Sequence, residues 1–583
     1  MSAHRSFIVL AFILSLAVVE TFAQGHGGGG GGGGHSGGGI PSTPSATVSG
    51  PANRPTSSLP AGPVQSQYAS SEGKLEYRTE TILIQVPVIV TDKSGKHIHG
   101  LSKEDFRVLE NGKEQTVSSF EEIVATNSKI LPPAPKPGEF SNLTLSEREP
   151  RTVTVIALDT VNTPFLDQTW GRRELVKYLA KNIDTSQVLA LMIITSHGIK
   201  IVQGLTGDPV RLLEALKKVS GEMPANQSID LDTQASAAAA DMNAFVQNGD
   251  VLYAQFHQAD AIETTLNAFR AIAWSLSGVP GRKALIWATG GFPFVLSSPD
   301  VVPGGYLSPL YEHTMQALTE AQISVYPVDV RGLVNQSFGE LSKSSMPNSR
   351  QLDNRYWLNQ SKINSLIEFA EMTGGKAFFN TNDLAGSFKR AADDGSSYYL
   401  LSYYLDMKND HAGWRELKVK VDKKDTEVRA RKGFFVTNAT LRAEMTRNSD
   451  MSYALQSPIE GTGVPLTLKW LAASAGADKK TTQLLVRLPP NAFALAGRDQ
   501  NQLNLDFALA AYSDKSKDGK PTLVRGRAIN PTISAENLAT VHAEGIHFTD
   551  AMDLAPGQYS VRVVVRDNVN GKIGSVTAPL TVN

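Results

Sequence analysis

The stretch TVTVIALDTVNT, Thr152–Thr163, decides the fold. Val153 to Leu158 is a predicted apolar strand, and Asp159 follows it in a loop rich in hydroxyl and amide side chains. In open α/β sheets, ligands gather outside the carboxyl ends of the strands. A carboxylate and short oxygen donors at this position can face a hard cation or a charged group of a partner. An aspartate there can equally cap the following helix, so both interpretations stand at this point.

Strands and helices alternate around this stretch, from residue 151 to about residue 392. This alternation is typical of a mostly parallel sheet that helices cover on both faces. The link Ser196-His197-Gly198 between the second and third strands is too short for a crossover, so it predicts an antiparallel hairpin. The segment Pro209 to Leu276 is then predicted to be helical cover. The predicted strands are Val153–Leu158, Val188–Thr195, Ile199–Leu205, Ala284–Ala288, Ile323–Val328 and Lys376–Phe379.

Strand patterns flank this α/β region on both sides. Residues 76–126 are predicted to form a small β module, because a long apolar strand is followed by the hairpin signal Asn111-Gly112. Such a module is too short to stand alone, so strands within residues 393–437 are predicted to pair with it. Residues 127–150 are rich in proline and predict a linker. Residues 438–583 suggest only strands and predict a C-terminal Ig-like β-sandwich.

The N-terminal segment predicts export. Residues 1–23 have the charged start, apolar core and small-residue end of a signal peptide, and the apolar core is too short to span a bilayer. Residues 24–75 are rich in Gly, Ser and Pro and predict a flexible linker, in which His26 and His35 are interpreted as polar interruptions. The chain has no cysteine, which excludes disulfides and thiolate sites, and its net charge of -1 gives no electrostatic case for nucleic-acid binding.

The order of these motifs resembles a von Willebrand factor A (VWA) domain. The resemblance rests on four segments: the opening strand and loop, GRKALIWATGG at Gly281–Gly291, ISVYPVDVRG at Ile323–Gly332 and IEFAEMTGGKAFF at Ile367–Phe379. The segments before and after, Gln85–Gln115 and Ser397–Phe435, resemble the VWA-related family common in exported proteins of Acidobacteria. The resemblance implies a Rossmann-like VWA domain over residues 151–392, within an α/β fold that also carries the accessory β modules.

The same resemblance implies a metal-ion-dependent adhesion site, in which a magnesium-like cation bridges the domain to a partner's carboxylate. Asp159 and Thr163 match two ligands of its Asp-x-Ser-x-Ser motif. Val161 stands at the other serine position, and Gly290 stands where an aspartate is usual. The site is therefore expected to be degenerate, with Mg²⁺ or another divalent cation bound weakly. The remaining candidates for oxygen ligands are Thr264, Thr265, Asn162 and Asp329.

These features predict a non-enzymatic, exported protein that binds a protein partner or serves in adhesion or as a scaffold, through the loops at the carboxyl ends of its strands. The sequence shows no Gly-x-Ser-x-Gly elbow, His-Glu-x-x-His helix or phosphate-binding loop. A secreted hydrolase with a noncontiguous site and a purely architectural envelope protein are the two alternatives. The final compartment after export is open between periplasm, cell surface and medium.

Overall fold

The structure is a computed structural model. It describes residues 81–124, 136, 138–142, 153–181, 188–219, 240–292, 307–333, 349–406, 413–436, 439–471, 481–497, 499–516 and 519–582. The predicted signal peptide at 1–23 and the predicted linker at 24–75, with His26 and His35, lie outside the described residues. No helix in the described part of the chain is long and apolar enough to cross a membrane.

The described residues form five sheets and eight α-helices. The strands are β1 (Thr81–Asp92), β2 (Phe106–Glu110), β3 (Lys113–Gln115), β4 (Ser119–Val124), β5 (Glu139–Ser141), β6 (Val153–Asp159), β7 (Val188–Thr195), β8 (Gly198–Thr206), β9 (Lys283–Thr289), β10 (Ile323–Asp329), β11 (Ser397–Asp406), β12 (Gly413–Val421), β13 (Thr426–Arg429), β14 (Gly433–Val436), β15 (Thr467–Leu471), β16 (Thr481–Leu488), β17 (Leu505–Ser513), β18 (Leu523–Ile529), β19 (Ile546–Asp553), β20 (Gly557–Asp567) and β21 (Ile573–Val582). The helices are α1 (Phe165–Lys181), α2 (Pro209–Lys217), α3 (Ala240–Leu276), α4 (Leu307–Glu320), α5 (Ser349–Thr373), α6 (Leu384–Asp393), α7 (Ala439–Gln456) and α8 (Ala535–Glu544).

The central sheet has the strand order β10-β9-β6-β7-β8. Its strands are parallel except for β8, which runs antiparallel to β7. The hairpin predicted from the short turn is therefore confirmed, and so are the five predicted strands from Val153 to Val328. Every residue of β6, β9 and β10 is buried, because helices pack on both faces of the sheet. The parallel strands consequently end together at one edge, called here the ligand edge.

The N-terminal strands form a two-sheet β module with strands from much later in the chain. One sheet has the order β13-β1-β11-β4, and the other has the order β14-β12-β2-β3. Antiparallel pairing joins β1 to β11 from Thr81 opposite Asp406 to Val88 opposite Tyr399. The two sheets share one apolar core, which includes Val86. The α/β region is thus an insertion between the two halves of this β module.

The C-terminal region also contains two sheets around one core, with the orders β19-β16-β15-β5 and β18-β17-β20-β21. The strand β5 comes from the segment 127–150, whose composition predicts only a linker. It pairs with β15, and Phe140 packs against the core. The buried side chain of Asn142 also bonds the backbone of Gly461 and Val464. A three-residue strand among prolines is too short for hydrophobic alternation to reveal.

Two sequence-based expectations are wrong in detail. The region after residue 438 is not composed of strands alone, because it contains α7 and α8. The α7 residues Met451, Ala454 and Leu455 are buried at helical spacing and pack on the sheet that contains β20. Lys376 to Phe379 forms a single parallel bridge at Phe378 instead of a strand. The chain reaches that bridge straight from a left-handed turn at Gly374, which has a φ of 77°.

Candidate functional site

The loop after β6 is built around Asp159. Its Oδ1 atom accepts hydrogen bonds from the backbone N–H groups of Val161 and Asn162, each at 3.0 Å. These two bonds fold the chain tightly back on the strand end before α1 begins. Asp159 thus forms a turn at the strand end. It does not cap α1, which its position also suggested, because both bonded N–H groups come before the helix start at Phe165.

The second oxygen of Asp159 connects this loop to the neighbouring strand β9. Oδ2 accepts hydrogen bonds from Asn162 Nδ2 at 2.8 Å, Trp287 Nε1 at 3.0 Å and Thr289 Oγ1 at 2.8 Å. The aspartate is only 2% exposed. Five donors therefore surround one buried carboxylate, which is the arrangement that holds a buried acidic group in place.

Burial raises the pKa of Asp159, while its hydrogen bonds from Asn162, Thr289 and Trp287 act in the opposite direction. Desolvation disfavours the charged form, and N–H and O–H donors favour it. The net direction of the pKa is upward. These donors therefore favour the ionised form of the carboxyl group, which burial disfavours.

Thr163 lies in the same loop and reaches across to the chain after β9. Its buried Oγ1 atom accepts a hydrogen bond from Gly290 N at 2.8 Å. A Cβ atom on Gly290 would lie 2.9 Å from Pro164 Cδ and 3.0 Å from Asn162 O. A larger residue could not replace this glycine without a shift, because the β6 loop packs directly on its backbone.

Asn162 bridges the loop to α3. Its Nδ2 atom donates to Asp159 Oδ2 and, at 2.9 Å, to Thr265 Oγ1. The Thr265 hydroxyl itself donates to Ala261 O at 2.8 Å, so its oxygen must accept from Asn162. Since both neighbours accept, an N–H₂ group and not an oxygen faces them. Asn162 therefore presents a nitrogen here, although the sequence suggested a substitute oxygen ligand.

This arrangement does not fit a magnesium-like cation. Such an ion requires oxygen ligands in a near-octahedral shell. The Asn162 amide nitrogen lies between the two oxygens of Asp159 and Thr265 that would face the ion, and Val161 has no side-chain oxygen. The structure brings Asp159, Thr163 and Thr265 to one place, and protein donors already engage all three. Metal binding by Asp159 and Thr163 stays a prediction, and it requires Asn162 to move away.

Asp329 ends β10 at the same edge but bonds its own turn. The backbone N–H of Arg331 donates to Asp329 Oδ1 at 3.0 Å, and the guanidinium donates to both carboxylate oxygens, at 2.9 and 2.7 Å. A buried bidentate pair of this kind is strong and fixed in direction. The acid is therefore occupied by an arginine two residues away, which the spacing D-V-R could have suggested.

Exposed apolar side chains border these buried groups at the ligand edge. Leu166 in the first turn of α1 is 80% exposed, and Leu333 after β10 is 59% exposed. Between them, a Cβ atom on Gly332 would lie 2.3 Å from the Trp170 ring, so α1 and the β10 loop are in close contact. Sequence patterns did not single out these leucines, because isolated apolar residues in loops give no periodic signal.

Comparisons with known proteins add little to this geometry. No protein-family model matches the chain, and no curated protein matches it. Among solved structures, the chain is similar to the ArnB paralog VWA2 from Sulfolobus acidocaldarius, over 82% of this chain and 75% of that chain. The two are 10% identical, with a TM-score of 0.16. At that score the likeness carries no argument about fold or function.

Proposed function

We propose that this chain is an exported, non-enzymatic protein of the VWA type that recognises a protein partner through the ligand edge of its α/β sheet. The observation that carries the proposal is the pairing of a rigid base with an exposed apolar rim. The base is the hydrogen-bonded loop around Asp159, and the rim is Leu166 and Leu333. Binding loops held by a rigid scaffold are typical of recognition sites.

Recognition is proposed to need no bridging cation. In the related motif the cation supplies a positive charge for the partner's carboxylate, whereas here the Asn162 amide lies between the two oxygens that would face the ion. The contact would then rest on the apolar rim, with Leu166 as the most exposed side chain. Leu166 and Leu333 would supply the apolar part of this contact, and the polar groups around them would form its periphery.

The test compares two edges of the same sheet. Leu166→Asp and Leu333→Asp should each reduce retention of a partner from native envelope extract by at least about tenfold, because about 1.4 kcal/mol of lost contact corresponds to tenfold. Val210→Asp is the matched control. Val210 is 55% exposed, but it lies in the first turn of α2, directly after the antiparallel strand β8, and so at the opposite edge of the sheet.

The role of the cation is tested separately by thermal unfolding with added magnesium, calcium or manganese. We expect no rise in the unfolding temperature that depends on Asp159, since a ligand of the folded state must raise it. A rise that Asp159→Ala abolishes would overturn the cation-free part of the proposal. Equal partner retention by wild type, Leu166→Asp and Leu333→Asp would overturn the assignment of the surface.

A further inference from the structure

A second cluster of polar side chains lies in the N-terminal β module. His97 and His99 follow the turn after β1, and Glu122 lies on β4. The two histidines are two residues apart in extended chain, so their side chains project to the same side. They meet Glu122 there, and one ligand atom from each of the three side chains lies within 4.8 Å of the other two.

The distances approach those of a metal centre. His99 Nδ1 is 2.7 Å from Glu122 Oε1, and His97 Nε2 is 3.8 Å from the same oxygen. Zinc bonds to imidazole and carboxylate are about 2.0–2.2 Å long, which places tetrahedral ligands roughly 3.3–3.6 Å apart. Side-chain shifts of about an ångström would therefore complete the geometry, without movement of the strands.

His97 is a buried imidazole whose hydrogen-bonding atoms are not satisfied by the described residues. Both of its ring nitrogens are buried and have no hydrogen-bond partner among the described residues, and its side chain is only 12% exposed. Buried polar atoms are nearly always satisfied, so this imidazole requires an explanation. The unsatisfied nitrogens, together with the distances to His99 and Glu122, are therefore the observation that points to a ligand.

Surrounding groups hold the three side chains in position. Glu122 Oε2 accepts a hydrogen bond from Gly100 N at 3.0 Å, which leaves Oε1 directed at the histidines. The Tyr399 hydroxyl donates to Ile98 O at 2.8 Å and accepts from the backbone N–H of Leu101 at 3.2 Å, so it fixes the chain on both sides of His99. Its ring also stacks on His97. Bonds of this kind orient the ligands in metal sites.

We propose that His97, His99 and Glu122 bind a divalent transition metal, with zinc as the preferred ion. Two imidazoles and one carboxylate suit zinc far better than magnesium, and three protein ligands leave a fourth position for water. His99 is half exposed, so that position faces solvent. The ion would tie the loop after β1 to β4 and stabilise the β module.

The first experiment uses the full chain without a histidine tag, stripped of metal and titrated with zinc alone by calorimetry. One zinc should bind, and it should raise the unfolding temperature. His97→Gln, His99→Gln and Glu122→Gln should each weaken binding by at least about 100-fold, since even outer-shell changes cost 10–100-fold. His542→Gln, on the exposed helix α8, is the matched control and should bind as wild type does.

A second measurement does not depend on variants. X-ray absorption of the zinc-loaded wild-type chain should show two imidazoles and low-atomic-number oxygen ligands around the metal. The proposal is overturned if no stoichiometric zinc binds, or if the absorption shows an imidazole count other than two. It is also overturned if zinc is lost from a variant lacking His26 and His35 while the three cluster variants bind normally.

Discussion

Replacing Asp159 by asparagine tests the hydrogen-bonded base of the ligand edge. The change keeps the shape of the side chain but turns one acceptor oxygen into an N–H₂ donor. If the N–H₂ group takes the place of Oδ1, it faces the backbone N–H groups of Val161 and Asn162, which are also donors. If it points along Oδ2, it meets Asn162 Nδ2 and Trp287 Nε1, while the Thr289 hydroxyl can turn to accept.

Either orientation leaves two donors of this largely buried loop without an acceptor. Each costs about 1–3 kcal/mol, so Asp159→Asn should lower the free energy of unfolding by about 2–6 kcal/mol. Urea unfolding at pH 7, followed by tryptophan fluorescence, measures the change. Asp208→Asn is the matched control, because exposed Asp208 caps α2 through Val210 N and asparagine caps equally well. Equal losses for the two variants, or a loss below about 1 kcal/mol at Asp159, would refute the reasoning.

Three further predictions follow from other buried groups. Gly290→Asp should cost about 1–3 kcal/mol through overpacking against Pro164 and should create no thermal response to magnesium; such a response would show that the loop can move aside. Burial lowers the pKa of Lys283 to about 7 from 10.5, so the folded chain gives up a proton that the unfolded chain keeps between these pH values. Wild-type stability should therefore rise by up to about 1.4 kcal/mol per pH unit from pH 7 to 10.5, and urea midpoints for Lys283→Met should lack this rise. Asp450→Asn should lower stability by about 3–5 kcal/mol in thermal and urea unfolding, because it leaves buried Arg270 and Arg566 without their shared counter-charge; an unchanged midpoint would contradict this.

The sequence predicted secondary structure best in the strands whose residues are all buried. The strands of the α/β sheet are continuous apolar runs, and a three-residue turn between two of them requires a hairpin, so both features could be predicted. The segment β5 could not, because three residues carry too little pattern and their partner β15 lies far along the chain. Helix α7 was not predicted because its buried face consists of a few apolar residues. So short an apolar pattern does not distinguish a helix from the strands that surround it in sequence.

The candidate site was predictable by position but not by chemistry. A strand followed by an acidic loop places Asp159 and Thr163 at the ligand edge. The sequence cannot show that the Asn162 nitrogen, and not its oxygen, faces Asp159, since that depends on the Thr265 hydroxyl donating to its own helix. The pair His97 and His99 has a visible spacing, but Glu122 joins it only through the pairing of β4 with β11.

The split β module sets an order of events in folding. Contacts such as that between Leu101 and Tyr399 join residues 298 positions apart. Until both ends of such a contact have reached the compartment where the chain folds, β1 exposes an unpaired apolar strand, a state prone to association with other chains. The α/β region can meanwhile fold as a unit, and by drawing its two ends together it shortens the loop that the late strands must close.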